Sequence, residues 1–360
     1  MTHVDELLLD DITLGSAILG SGGGGDPYIG LLLARSAIQS HGAVQLTPLN
    51  CVPDDALVAF IASIGAPGVL IEKLPRTEDA VDALAMLSHH LRQDITHLCP
   101  IEAGGLNAVI PFGPAAIMGL PVIDADGMGR AFPGLDMVTP TLNGGTSTPM
   151  AFADEHGNRS LLLTETNAWS ETLGRVSTVA SGCTQFFASY PMTGRQAKQW
   201  LIDAPLSRAA RLGRIVRSAR AEHRSPVDAV LAQEGGIRLL DGKVVSVERR
   251  NEGGFTLGEA VIEGTGAHAG STLRLKFQNE YLIAERDGRA VGTTPDILAT
   301  LEIETGEPIM AEDIRYGYRV ATIGLPCDDR WRTTDGIELV GPRRFGYDVD
   351  YRPVEGGARE

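Results

Sequence analysis

Three short stretches carry residue types that do chemistry: "SGGGGD" at 21–26, "CPIEAGGLN" at 99–107 and "DADGMGRAFP" at 124–133. In the first, Gly22, Gly23, Gly24 and Gly25 run straight into Asp26 and Pro27. A dinucleotide fingerprint needs a strand before its glycines, and a Walker loop needs Lys-Ser/Thr after them. Here helical spacing precedes the glycines and Asp-Pro follows them, so neither motif applies. A flexible linker fits poorly too, because helix signals flank the run on both sides. What remains is a glycine turn that offers backbone N–H groups at a helix N-terminus, where a carboxylate or other oxyanion can sit. The plain alternative is a helix–helix turn that only needs positive φ. Four glycines in succession favour close approach by a ligand, with Asp26 beside it.

In the second stretch Glu102 ends an apolar strand just before Gly104-Gly105. Open α/β sheets bind ligands at the carboxyl ends of their strands. Glu102 is therefore a candidate general base or metal ligand, and Asn107 a candidate substrate-binding residue. Capping of the next helix is the competing use of Glu102. Cys99 reads as a small buried apolar residue. In the third stretch Asp124 and Asp126 alternate along a strand end and should share a face. Two carboxylates on one face suit an acid–base pair or a divalent cation. Arg130 follows and can hold an acidic substrate group bidentately; an Asx-turn with a surface ion pair is the alternative for this stretch. No HxH, HExxH or Cys/His cluster occurs, so no sequence-local zinc site is expected, and use of a divalent ion stays open. A weaker signal is "FQNEYL" (277–282), where β alternation turns one of Asn279 and Glu280 inward.

These residues must be positioned by a scaffold, and the apolar periodicity predicts one. Residues 4–20 have helical spacing, and a second helix should start at Pro27 with Asp26 as N-cap. Strand-like runs follow at 43–49, 56–65, 96–102 and 121–127, with helical patterns at 78–93 and 113–120 between them. That alternation predicts an α/β fold with a mostly parallel or mixed sheet covered by helices. Residues 146–166 read as a hairpin turning at "DEHGN", and 167–234 as mostly helical, including a basic amphipathic helix around 205–223. From Gly235 apolar and polar residues alternate between Gly and Asp-Gly breaks, which predicts antiparallel strands. The expected organisation is an N-terminal α/β domain over 1–166 and a C-terminal α+β domain over 167–355, helical first and then rich in antiparallel strands.

Taken in order, "LGSGGGGDPYIG", "EAGGLN", "DADGMGRAFP", "FQNEYL" and "TPDIL" (294–298) resemble the S-methyl thiohydantoin desulfurase family, formerly a domain-of-unknown-function family found near hydantoinase/oxoprolinase genes. The resemblance spans roughly residues 5–350. It implies an N- and a C-terminal domain, and a hydrolase in which water replaces a sulfur substituent on a five-membered thiohydantoin-type ring. Glu102, Asp124 and Asp126 would supply bases or metal ligands there, the glycine-loop amides would supply donors, and Arg130 would hold a substrate carboxylate. Two other readings stand beside it: a hydantoinase- or oxoprolinase-like enzyme that opens the ring, and a non-catalytic small-anion-binding accessory protein.

Composition sets outer limits. The net charge of −15 is dispersed along the chain and repels phosphate backbones, so nucleic acid is not an expected partner. The four cysteines are far apart and fit free thiols in a cytoplasmic protein. The acidic N-terminus lacks a signal-peptide pattern, and no 18-residue apolar run predicts a membrane span. The expected partner is a small heterocyclic substrate, and the extended β region leaves room for a homo-oligomer.

Overall fold

A computed structural model of the chain describes residues 2–65, 69, 72, 73 and 75–356. It is a mixed α/β protein built on two sheets. The first helix, Glu6–Leu19, starts at Asp5, whose carboxylate accepts from the Leu8 N–H at 2.8 Å. The second, Pro27–His41, starts at Asp26, which accepts from the Tyr28 N–H at 2.8 Å. The glycine run is the corner between them, as the capping signals predict.

The first sheet is mixed. Strands Val44–Pro48, Val122–Asp126, His97–Cys99 and Leu57–Gly65 lie side by side and parallel. Antiparallel strands extend both sides, with Thr2–Val4 at one edge and the hairpin Met150–Ala153/Arg159–Leu162 at the other. The chain passes residue 166 without leaving this sheet. Strand Thr184–Thr193 pairs antiparallel with Leu57–Gly65 and with Met150–Ala153, in the middle of the sheet. Helices Glu6–Leu19, Pro27–His41, Thr77–Leu91 and Pro205–Ala221 share one core with the strands. The basic face of Pro205–Ala221 is spent on its own chain: Arg217 binds Asp11 bidentately at 2.9 and 3.0 Å, and Arg208 binds Glu234 at 2.6 Å.

The second sheet has seven strands, all antiparallel, in the order Arg289–Thr293, Glu280–Arg286, Thr272–Gln278, Phe255–Gly264, Ile237–Glu252, Arg319–Leu325, Ile297–Glu302. Its inward side chains form a separate core containing Leu275, Phe277, Tyr281 and Leu298.

Asp296, from "TPDIL", ties the C-terminal segment to this sheet. It is fully buried and accepts from the Cys327 N–H, Arg332, the Tyr351 hydroxyl and the Val354 N–H, at 2.9 to 3.1 Å. Losing one member of a buried charged network leaves the others unpaired. Asp296→Ala is therefore expected to lower unfolding stability by about 3 kcal/mol or more, read as a drop in the urea midpoint at constant slope.

Candidate active site between the glycine corner and the two sheets

A cleft opens where the glycine corner, the carboxyl ends of the parallel strands and one hairpin of the second sheet meet. Its space, including the open mouth, comes to about 660 Å³. Gly24, Glu102, Asn107, Arg175, Asn279 and Glu280 supply its polar lining, and Ile101, Phe132 and Phe187 much of its apolar wall.

Glu102 lies three residues past the strand His97–Cys99, in an irregular loop ahead of the short turn Gly105–Ala108. Only 4 % of it is exposed. Its Oε1 accepts from the Asn107 Nδ2 at 2.7 Å, and Asn107 Oδ1 accepts from the Ser63 N–H at 2.8 Å. Asn107 is thus held at both ends and can present only its NH₂ to Glu102. The Glu102 Oε2 is buried without a hydrogen bond.

Glu280 arrives from the other sheet. At the hairpin tip Asn279 has φ +59°, which breaks the period-2 alternation. Both Asn279 and Glu280 therefore line the cleft, where strict alternation would turn one away. The tip is pinned by Asn279, whose Oδ1 accepts from the Thr256 N–H at 2.8 Å. Glu280 is 2 % exposed; its Oε1 accepts from the Gly24 N–H at 3.3 Å, and its Oε2 has no hydrogen bond.

This contact explains the glycine run. A Cβ on Gly23 would sit 2.0 Å from Glu280 Oε1, and one on Gly24 would sit 2.4 Å from the Gly104 carbonyl oxygen. Gly24 also has φ +80°, which L side chains rarely adopt. The close approach is made by other segments of the same chain, and the carboxylate held by the loop amide is the protein's own Glu280. Gly24 and Gly25 line the cleft; Gly22 and Gly23 lie behind it, against Tyr281 and Glu280. Asp26 is occupied as the helix cap and is not part of the lining.

Two of the carboxylates expected with Glu102 are engaged elsewhere. Asp124 accepts from the Leu206 and Ser207 N–H groups and the Ser207 hydroxyl. It caps helix Pro205–Ala221, whose own N-cap residue, Ala204, has no side chain that can do so. Asp126 accepts from the Ala103 N–H at 2.6 Å and the Gly129 N–H at 2.8 Å, so it fixes the backbone beside Glu102 from behind. Neither aspartate lines the cleft. Arg130 is fully buried and donates to the carbonyls of Ala131, Pro295, Asp296 and Tyr281. It pins the two sheets together and does not reach the cleft as an anion clamp. Among the described residues, no three of His, Cys, Asp and Glu come together as a metal-ligand group.

Burial, then the neighbouring Glu280, pushes the Glu102 carboxyl well above the usual carboxylate range, against the Asn107 amide and the Phe132 backbone. Burial pushes Glu280 up to about 7, opposed first by the charge of Arg130. Burial thus favours the protonated form of Glu102, while Glu280 titrates near neutrality. A buried acid and a buried carboxylate facing one cleft are the groups general acid–base chemistry needs.

The N-terminal domain of the S-Me-THD-like family matches residues 8–164, and its C-terminal domain matches residues 165–354. The chain belongs to this family. That membership agrees with the resemblance carried by the five stretches, and it ties this S-Me-THD-like protein to thiohydantoin-related function. The fold is also that of a protein from Chromobacterium violaceum known from an X-ray crystal structure: TM-score 0.81, 22 % identity, 98 % of this chain and 100 % of that one covered. Among curated proteins none matches the sequence significantly. No helix among the described residues is long and apolar enough to cross a membrane.

Glu280 was the residue hardest to find from sequence. Its only signal was its place in "FQNEYL", and its partner Gly24 is 256 positions away.

Glu280 binds its proton more tightly folded than unfolded, so between roughly pH 4.3 and 7 the native state holds more protons. Stability should fall as pH rises through that window, by an amount on the order of 3 kcal/mol for this group. Glu280→Gln is expected to flatten the dependence, which denaturant melts at pH 5 and pH 8 would measure. An unchanged slope in the folded variant would contradict the assignment.

Proposed function

We propose that this cleft hydrolyses a thiohydantoin-type ring at its sulfur-bearing carbon, with Glu280 and Glu102 as the acid–base pair. The observation that carries the reading is that two buried carboxyls, each with one oxygen lacking a hydrogen bond, line one cleft. Glu280 takes a proton from water as the water oxygen attacks the carbon, and Glu102 gives its proton to the adjacent ring nitrogen. The adduct's hydroxyl then returns a proton to Glu102. The C–S bond breaks, and sulfur leaves as a thiol with the proton held by Glu280. One water enters, one thiol leaves, the carbon becomes a carbonyl, and both carboxyls regain their starting states.

Asn107 keeps Glu102 aimed, and the cleft's amide and guanidinium donors are available to the ring's polar atoms. A second cavity adjoins the first through Pro133, Gly134 and Arg175. Its walls include Met137, Phe255 and Phe345, which suits an apolar part of a ring substituent. The four cysteines are free thiols, which suits the reducing cytoplasm.

Removing a positioned acid or base commonly costs about 100- to 10,000-fold in rate. Glu102→Gln and Glu280→Gln are each expected to lose turnover of an S-alkyl thiohydantoin in that range, while Asp124→Asn keeps it within a few-fold. Thiol titration and mass analysis of the product check this. A ring-opened product without thiol would replace the reading by an amidohydrolase. Ligand binding without either product would replace it by an accessory binding protein.

A further inference from the structure

Helix Asn167–Ala180 is turned inside out. Its buried positions are Ser170, Gly174 and Thr178, all small or hydroxyl-bearing. Facing solvent are Trp169, Leu173, Val176 and Val179, exposed by 56, 41, 63 and 51 %. A surface helix ordinarily buries such residues and shows charge outside. Here none of the exposed positions is charged: the helix's two charged residues, Glu171 and Arg175, are partly buried and paired with each other. A single exposed apolar side chain needs no explanation, but a contiguous stripe does.

The spacing says what covers it. Trp169, Leu173, Val176 and Ala180 follow steps of four, three and four, the seam of one helix packed on another. We propose that the partner is a second copy of this chain, docked across a two-fold axis with this helix antiparallel to its copy.

The charge argument favours self-pairing. A two-fold interface sets each patch opposite itself, so any exposed charge near the axis meets its like. That condition is demanding for a chain of net charge −15, and this helix face meets it. Area points the same way. The four exposed side chains of the helix alone leave roughly 800 Å² in two copies, about half of the ~1,600 Å² of a standard interface before flanking residues are counted. Pairing would also brace the cleft. Arg175, on the same helix, stacks over the Phe255 ring at 4.0 Å and lines both cavities, and Val176 and Val179 wall the second.

Sedimentation equilibrium of the full chain tests this, and its outcome does not depend on which reaction the cleft performs. The expected mass is twice 38.2 kDa. Val176→Glu and, separately, Thr172→Glu place like charges across the axis and should weaken the dimer at least 100-fold. Thr172 is already in water, so its substitution leaves the folded chain intact, which a circular dichroism melt verifies. A chain that stays monomeric at the highest concentration, or a dimer that neither substitution loosens, overturns the proposal.

Discussion

Taking a carboxyl group out of water costs several kcal/mol unless it is protonated or hydrogen-bonded. This protein does it twice in one cleft, and much of the surrounding structure meets that cost only in part. Glu102 has one amide donor on one oxygen, and Glu280 has one backbone N–H on one oxygen. Asp124 meets three donors, which oppose the upward push of burial on its proton affinity. Glu102 and Glu280 are each left with a raised proton affinity and one oxygen without a partner. Asp126 is pushed up to about 7 as well despite its backbone donors, so what sets Glu102 and Glu280 apart is that they line the cleft.

The glycine corner makes the second carboxyl possible. Glu280 belongs to the antiparallel sheet, and it reaches the cleft only because no side chain stands at Gly23. The joint is closed by short backbone contacts: the Tyr281 N–H donates to Ser21 O at 2.6 Å, and the Ala311 N–H to Gly22 O at 2.8 Å. Arg130 seals it by donating from the first sheet's loop to the Asp296 and Tyr281 carbonyls, and its charge opposes the rise in Glu280's proton affinity. Folding of the second sheet onto the first therefore also brings the Glu280 carboxyl to the cleft that Glu102 lines.

Another wall of the cleft comes from the helix that carries Arg175. It packs through Gly174 and hydroxyl side chains, and a Cβ at Gly174 would meet the Phe152 ring at 3.1 Å. Such packing brings the helix close to the sheet but buries little apolar area on its inner side. Its larger side chains are left outward, where another surface can use them.

Local patterning determined much of the framework. The helix–glycine–helix corner, the caps at Asp5 and Asp26, the parallel strands and the antiparallel second sheet follow from spacing, turn chemistry and alternation, which act over a few residues. The same reasoning put Glu102 at a strand end beside the site. It could not separate Glu102 from Asp124 and Asp126, because all three share that local signature. What divides them is the partner each meets: a helix N-terminus 82 residues away for Asp124, the turn at Gly129 and the Ala103 amide for Asp126, and the cleft for Glu102. Glu280 was less visible still. A positive φ at one residue turned it against the strand pattern, and its neighbour across the cleft lies at the opposite end of the chain. Burial and donors come from distant segments, so only the tertiary structure decided which carboxyls line the cleft and which are spent on capping and backbone contacts.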